Sequence, residues 1–265
     1  MSVYKVTALM TGNITVPKAG ITYMTGFGET ITVPVWSAAI EGNGIKALVD
    51  TGIRYHDRWE KYTPHWANKD ETIEHSLSEI GWKFEDIDVV INSHLHYDHA
   101  ENNLRFKNAR FIVSRAEWEY AKKPIPSQTW LYDFEWMDEH ITEKNYELIA
   151  PDNYEFMPGL TLIQTPGHSR GHQSLIVDTD EGKVCIAGDA ACLPENFSKP
   201  TPPAGATSIE QGFDSLEKIR SSAPYVFMNH DPNIKKFQTN NFLKIPEAYS
   251  ILPTGLVDSL PGRSH

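Results

Sequence analysis

The sequence predicts an α+β fold of two packed sheets with helices on their outer faces. Two observations point there. Strand-like runs, mostly four to seven residues long, alternate with short helical stretches along the chain. The two strand-rich halves are loosely alike in composition, yet no internal period of repeat-protein length relates them. One domain spanning residues 1–265, made of two half-units, is therefore expected.

The first fifty residues read as strands. YKVTALM, ITVPVWSAAI and IKALVD are apolar or alternating, and Gly42-Asn43-Gly44 is a turn between the last two. Pro34 has no N–H to give a ladder, so its strand begins there or lies at an edge. IKALVD delivers Asp50 at the end of a buried strand. Residues 53–68 carry Tyr55, Trp59, Tyr62 and Trp66 without a clear period, which reads as an aromatic loop or short helix. Ile73, Leu77 and Ile80 recur at helical spacing behind Asp70 and Glu71, and Gly81 stops that helix.

Val89 to Asn92 forms a short buried strand running into the segment Ser93 to Ala100, SHLHYDHA. ARFIVS is a strand and RAEWEYA a short helix. Residues 123–146 contain Pro124 and Pro126 with many aromatics and weak periodicity, the expected place of a lid or insertion. GLTLIQTPG, HQSLIVDTD and EGKVCIAGDA are strands again, Ile209, Phe213, Leu216 and Ile219 mark a helix, and YVFMNH is a last strand. Phe242 to His265, rich in proline and glycine, is expected to wrap the surface.

Composition narrows the function classes. Thirty-five acidic against 24 basic residues give a formal net charge of -11, with no Lys/Arg block able to track a phosphate backbone, so no nucleic-acid partner is expected. No apolar window reaches the ~20 residues of a membrane span, and the N-terminus lacks a signal-peptide pattern. Cys185 and Cys192 are the only cysteines, too few for a disulfide framework. A cytoplasmic enzyme acting on a small molecule is the resulting expectation.

The chemistry is concentrated in SHLHYDHA, where His94, His96, Asp98 and His99 fall within six positions just beyond a strand end. Three imidazoles and a carboxylate packed so closely repel or desolvate one another unless a divalent metal takes their lone pairs. Four ligands are too few for two ions. His168 in TPGH, Asp189 at the end of VCIAGD and His230 at the end of YVFMNH each close an apolar run and supply the remainder. Each alone reads as structural. Together they give five histidines and two aspartates, enough for two ions sharing one carboxylate. A purely structural zinc site would favour four ligands and cysteine, and the motif contains none.

His94-Leu95-His96-Tyr97-Asp98-His99, followed by His168, Asp189 and His230 in that order, resembles the metallo-beta-lactamase superfamily over about residues 35–231. INSHLHYDHA, TPGHSRGHQSL, GDA and the closing NHD are similar to its N-acyl-homoserine lactonase branch. The resemblance implies a four-layer αβ/βα sandwich of two mixed sheets with outer helices. It also implies one metal held by His94, His96 and His168, another held by Asp98, His99 and His230, and Asp189 bridging both. Asp50 matches the early aspartate of the pattern and His172 its later histidine; both are expected to stand behind the ligands and orient them. Zinc suits these ligands, with manganese, iron or cobalt as alternatives. Related lactonases are often dimers, so a homodimer is a further expectation.

The implied activity is opening of a lactone by a hydroxide bridging two metals, with Asp98 as the catalytic proton carrier. A glyoxalase II-like thioester hydrolase or an amide hydrolase would use the same centre, and a non-catalytic metal-binding module is the reading from another class. Departures bear on the substrate. Where these lactonases usually carry a tyrosine three residues after the bridging aspartate, this chain has Cys192, a shorter and weaker donor at a substrate-binding position. Tyr23, Trp36, Tyr55 and Tyr97 are candidates to replace the phenol, and the substrate is expected to differ from long-chain acyl-homoserine lactones. Glu101 and Asn102 replace glycines of the pattern and are expected at the pocket rim, where they would crowd or recharge it.

Overall fold

The computed structural model describes residues 3–54, 60–132, 146–199, 201–234 and 242–245. Tyr55 and Trp59, most of the expected lid, and nearly all of the C-terminal segment lie outside the described residues. The first half runs β1 (Lys5–Pro17), α1 (Lys18–Ile21), β2 (Thr30–Gly42), β3 (Ile45–Val49), β4 (His65–Trp66), α2 (Ile73–Glu79), β5 (Val89–Ile91), α3 (Tyr97–Ala100), β6 (Arg110–Ser114), α4 (Arg115–Lys122) and β7 (Tyr146–Ile149). The second runs β8 (Tyr154–Met157), β9 (Leu160–Gln164), β10 (Gln173–Thr179), β11 (Gly182–Ile186), α5 (Glu195–Ser198), α6 (Ile209–Ser222), β12 (Tyr225–Phe227) and β13 (Leu243–Lys244).

Two mixed sheets result, in the orders β4-β1-β2-β3-β5-β6-β7 and β13-β12-β11-β10-β9-β8. Parallel pairs β3·β5, β5·β6 and β6·β7 sit in the first and β11·β12 in the second; the other pairs are antiparallel. Because successive side chains leave a strand on opposite faces, each central strand feeds two cores. Val89, Ile91, Leu175, Val177, Val184, Ile186 and Phe227 meet between the sheets. Val90, beside Ile73, Leu77 and Trp118, packs under the helices of the first sheet. Ile176, Cys185 and Val226 pack with Leu216 and Ile219 of α6 on the outside of the second. The order is helix, sheet, sheet, helix, as expected from the sequence.

Local rules account for the elements. Thr72 caps α2, its hydroxyl accepting from the His75 N–H at 3.3 Å, and Ser208 caps α6 in the same way toward Gln211. Asn43 and Gly44 both take positive φ, as the tight β2–β3 turn requires. Pro34 neither opens β2 nor interrupts it. The strand begins at Thr30, but β3 pairs only with Ala38–Gly42, so the side of β2 away from β1 is a local edge at Pro34.

Candidate metal centre

The site lies where parallel strands end. Val49 is in register with Ile91, so Asp50 leaves β3 beside the start of the histidine segment leaving β5. Ile186 is in register with Phe227, and Asp189 and His230 each follow three residues beyond these adjacent strand ends. His168 comes from the loop joining β9 to β10, which arches over the same point. Close packing fixes that loop. A Cβ on Gly167 would meet the Gly212 backbone N at 2.7 Å, and one on Gly171 would meet the Glu117 backbone N at 1.8 Å. At Gly171 the glycine serves helix–loop approach rather than an unusual φ, whereas Gly167 also has φ +142.

The structure brings all seven sequence-predicted ligand residues together. His94 Nε2 and His168 Nε2 each lie 3.0 Å from His96 Nδ1, forming a tripod of ring nitrogens. Asp189 stands between this tripod and a second group. Its Oδ2 is 3.5 Å from His168 Nε2, while its Oδ1 is 3.3 Å from His230 Nε2 and 3.4 Å from His99 Nε2. Asp98 Oδ2 closes the second group at 3.6 Å from His99 Nε2 and 3.7 Å from His230 Nε2.

The outer hydrogen bonds decide which nitrogens carry lone pairs. His99 Nδ1 donates to Asp50 Oδ2 at 2.8 Å, and His230 Nδ1 donates to the Pro34 carbonyl at 2.8 Å. Ser93 Oγ gives its proton to Asp50 Oδ2, so it accepts from His94 Nδ1. In the neutral tautomers thus fixed, the Nε2 atoms of His94, His99 and His230 point inward as bare acceptors. Among the described residues, His99 Nε2 and Asp189 Oδ1 are buried without a hydrogen-bond partner. Acceptors facing acceptors need a cation between them. Zinc–nitrogen bonds of about 2.0–2.1 Å at tetrahedral angles place ligand atoms roughly 3.3–3.4 Å apart, and the two separations at Asp189 Oδ1 match. The cluster is a site for two divalent ions.

Protonation follows the same division. Burial, reinforced by neighbouring imidazoles, pushes His94 and His96 well below the ordinary histidine value; burial lowers His168 too. For His99, burial is outweighed by Asp189, Asp98 and Asp50, which together raise it, and for His230, Asp189 and Asp98 outweigh burial likewise; these carboxylates favour a positive charge where they meet the two rings, a proton on the ring without metal and the ion in its place when bound. Burial opposes ionisation of Asp189, but His230 and His99 hold its carboxyl well below the usual range.

The supporting residues act through hydrogen bonds. Asp50, buried at φ +61, accepts from the Ser93 N–H and hydroxyl, His99 Nδ1 and Asn229 Nδ2. His172 Nε2 accepts the Asp189 N–H at 3.0 Å. Its Nδ1–H then donates to Thr165, whose hydroxyl donates to Ser174 and so to the Ala187 carbonyl. Burial pushes the His172 pKa down to about 3.

Other expectations resolve differently. Glu101 and Asn102 are not at a rim. Both are buried: Glu101 accepts the Arg54 N–H at 2.9 Å, and Asn102 Nδ2 donates to the Thr51 and Ile53 carbonyls. The loop after β3 has backbone groups that need partners away from water, and these side chains supply them. Among the candidates for a replacement phenol, the Trp36 indole N–H is taken by the Asp231 carbonyl at 3.0 Å. Tyr97 is buried beside Cys192, and Tyr23 packs edge-on against Phe213. Cys192 is fully buried, and burial together with Asp189 and Asp98 raises its thiol pKa.

Glu117 was not foreseen. Its Oε1 accepts from the Leu95 N–H and the Tyr132 hydroxyl, and its Oε2 accepts from the Ser169 hydroxyl and the Gly171 N–H. One carboxylate thereby ties the His94–His99 segment to the His168 loop. The available signal was a glutamate sharing the buried face of α4 with Trp118, Tyr120 and Ala121. Tyr132 packs edge-on against His96, ring centroids 4.6 Å apart.

Comparison with known proteins follows the same lines. The family model for the metallo-beta-lactamase superfamily matches residues 30–228. An N-acyl homoserine lactonase of Bacillus cereus is 33% identical over 248 residues, covering 87% of this chain and 94% of the relative. One of Agrobacterium fabrum is 31% identical over 229 residues, with 83% and 85% covered. A solved N-acyl homoserine lactone hydrolase, with the product N-hexanoyl-L-homoserine at its catalytic metal centre, superposes with a TM-score of 0.76. It is 28% identical, and the match covers 92% of this chain and all of the other.

Proposed function

The chain belongs to the metallo-beta-lactamase superfamily, in its N-acyl-homoserine lactonase-like branch, and from that premise we propose that it hydrolyses a lactone. The observation that carries the reading is Asp189, whose two oxygens face two separate groups of inward-pointing imidazoles. His94, His96 and His168 would hold one ion, Asp98, His99 and His230 the other, and Asp189 both. Two divalent ions bound there would supply hydroxide near neutral pH and polarise the ester carbonyl; zinc is our first choice from the imidazole-rich donor set.

The rest of the work falls to side chains. Asp98 keeps 7% of its surface open, faces His99 and His230, and is the carboxylate best placed to take the nucleophile's proton and return it to the leaving ring oxygen. Asp50 and Ser93 hold His99 and His94 with their acceptor nitrogens inward, and His172 holds the Asp189 backbone. The absence of a tyrosine at position 192 favours a lactone other than the long-chain acyl-homoserine type. Two buried free thiols suit a reducing cytoplasm, and among the described residues no helix is long and apolar enough to cross a membrane.

The test combines metal analysis with turnover on a panel of acyl-homoserine lactones, simple lactones, thioesters and amides. Two ions per chain and a preference for lactones are expected. Asp189→Asn should retain metal poorly and lose hydrolysis. A variant holding two ions at full activity would remove the shared-carboxylate reading, and a thioester or amide preference would replace the lactone.

A further inference from the structure

We infer that Cys192 is a metal ligand, its sulfur bound to the ion between Asp189 and His230. The inference rests on the dinuclear reading above and goes beyond it, since the expected role at this position is contact with substrate. A sulfur atom of Cys192, a carboxylate oxygen of Asp189 and a ring nitrogen of His230 lie within 4.8 Å of one another, all from buried residues. Asp189 is 5% exposed, and its Oδ1 makes no hydrogen bond while facing His230 and His99 at 3.3 and 3.4 Å.

The thiol is held in place. The Cys192 and Leu193 N–H groups both donate to Asn196 Oδ1, at 2.8 and 2.7 Å, while Asn196 Nδ2 donates to the carbonyls of Ile21 and Thr201. Ile14, Val33, Val35, Ile53, Tyr97 and Leu193 pack around Cys192 as one cluster. Cys192 has no exposed surface, and among the described residues it has the apolar cluster and the Asp189–His230 pair beside it, which leaves no free face for a substrate. Thiolate is a zinc ligand in its own right, reaching about 2.3 Å where nitrogen reaches about 2.0–2.1 Å. On binding, the thiol proton passes to solvent and the sulfur lone pair forms the metal bond.

Such a centre is asymmetric. The ion on the Asp98, His99 and His230 side would gain a soft donor, while the ion in the His94, His96 and His168 tripod would have nitrogen and oxygen only. Softer donors favour zinc and cobalt over manganese at that one position.

The experiment uses the full chain, stripped with chelator and reloaded without oxygen with two equivalents of cobalt(II) chloride. Cobalt content and the absorption spectrum are measured for the wild type, Cys192→Ser, Cys192→Ala and Cys185→Ala, the last removing the thiol in the outer core of the second sheet. The expected result is two cobalt ions per chain and a near-ultraviolet sulfur-to-cobalt charge-transfer band. That band should survive Cys185→Ala and vanish in both Cys192 variants while their visible ligand-field bands remain. Zinc retention in the Cys192 variants should fall by at least the roughly 10-fold typical of a lost supporting partner. A wild type holding two cobalt ions without the band, or a band that persists in Cys192→Ser, overturns the ligand role and leaves the dinuclear reading standing. A chain that binds no cobalt overturns both.

Discussion

Asp50→Asn isolates the contribution of one carboxylate that touches no substrate. The left-handed backbone at residue 50, φ +61, is one that asparagine tolerates, and the side-chain volume is unchanged, so neither strain nor a cavity accompanies the change. What changes is acceptor capacity. Oδ1 receives the Ser93 N–H at 2.8 Å, and Oδ2 receives Ser93 Oγ at 2.7 Å, His99 Nδ1 at 2.8 Å and Asn229 Nδ2 at 3.0 Å. The amide nitrogen does least harm in the Oδ1 position, where it leaves the Ser93 N–H unpaired at a cost of about 1–3 kcal/mol. The three remaining bonds lose their charge-assisted character, and the total reaches roughly 2–5 kcal/mol. Because His99 keeps an acceptor, its tautomer survives but is held less firmly, so zinc affinity should fall about 10–100-fold. Urea unfolding of the metal-free protein reads the first quantity and chelator competition the second. A variant within about 0.5 kcal/mol of the wild type, with unchanged zinc retention, would refute the assignment of Asp50 as the residue that sets His99.

Two further outcomes follow from the same geometry. Glu117→Ala leaves the Leu95 and Gly171 N–H groups buried without acceptors, which should cost about 2–6 kcal/mol in unfolding free energy and weaken zinc retention; a loss under about 1 kcal/mol would show the two loops to be held otherwise. His172 titrates near pH 3 in the fold against about 6.5 unfolded, so its contribution is present above pH 6.5 and is lost as pH falls toward 3. Between pH 7 and 5 the metal-free wild type should lose about 2 kcal/mol more than His172→Gln in urea unfolding, and parallel pH profiles would contradict this.

The sequence displayed the architecture because each central strand alternates between two buried cores, a pattern that short windows preserve. Val89, Val90 and Ile91 show it in three residues. The candidate ligands were legible for a related reason: a polar residue closing an apolar run has to be accounted for, and His168, Asp189 and His230 each do so. What stayed hidden depends on partners distant in the chain. β4 exists through two residues pairing with Asn13 and Ile14 of β1, and nothing local in His65–Trp66 announces it. Glu101 and Asn102 stand just after the ligand motif in place of the pattern's glycines, which points to a rim. Their actual partners are backbone groups of residues 51–54, about fifty positions away, whose need for donors and acceptors no pattern records.

Pro34 shows how the two sheets are joined at the site. In a strand the N–H and carbonyl of one residue point to the same side. At Pro34 that side faces away from β1, since β3 does not reach so far along β2, and its carbonyl accepts from His230 Nδ1. The missing N–H therefore costs no ladder bond, and among the described residues His230 Nδ1 is the donor to that carbonyl. Two residues on, the Trp36 N–H donates to the Asn229 carbonyl, and the Trp36 carbonyl accepts from Asn229 Nδ2. The turn leaving β12 thus meets the free edge of β2 through one main-chain hydrogen bond and through side-chain hydrogen bonds, joining the second sheet to the first. Asn229 also donates to Asp50, which orients His99. The inward nitrogens of His99 and His230, donors of the second ion site from opposite sheets, are consequently set by one continuous hydrogen-bonded seam, and their spacing is a property of how the sheets pack rather than of the histidine motif alone.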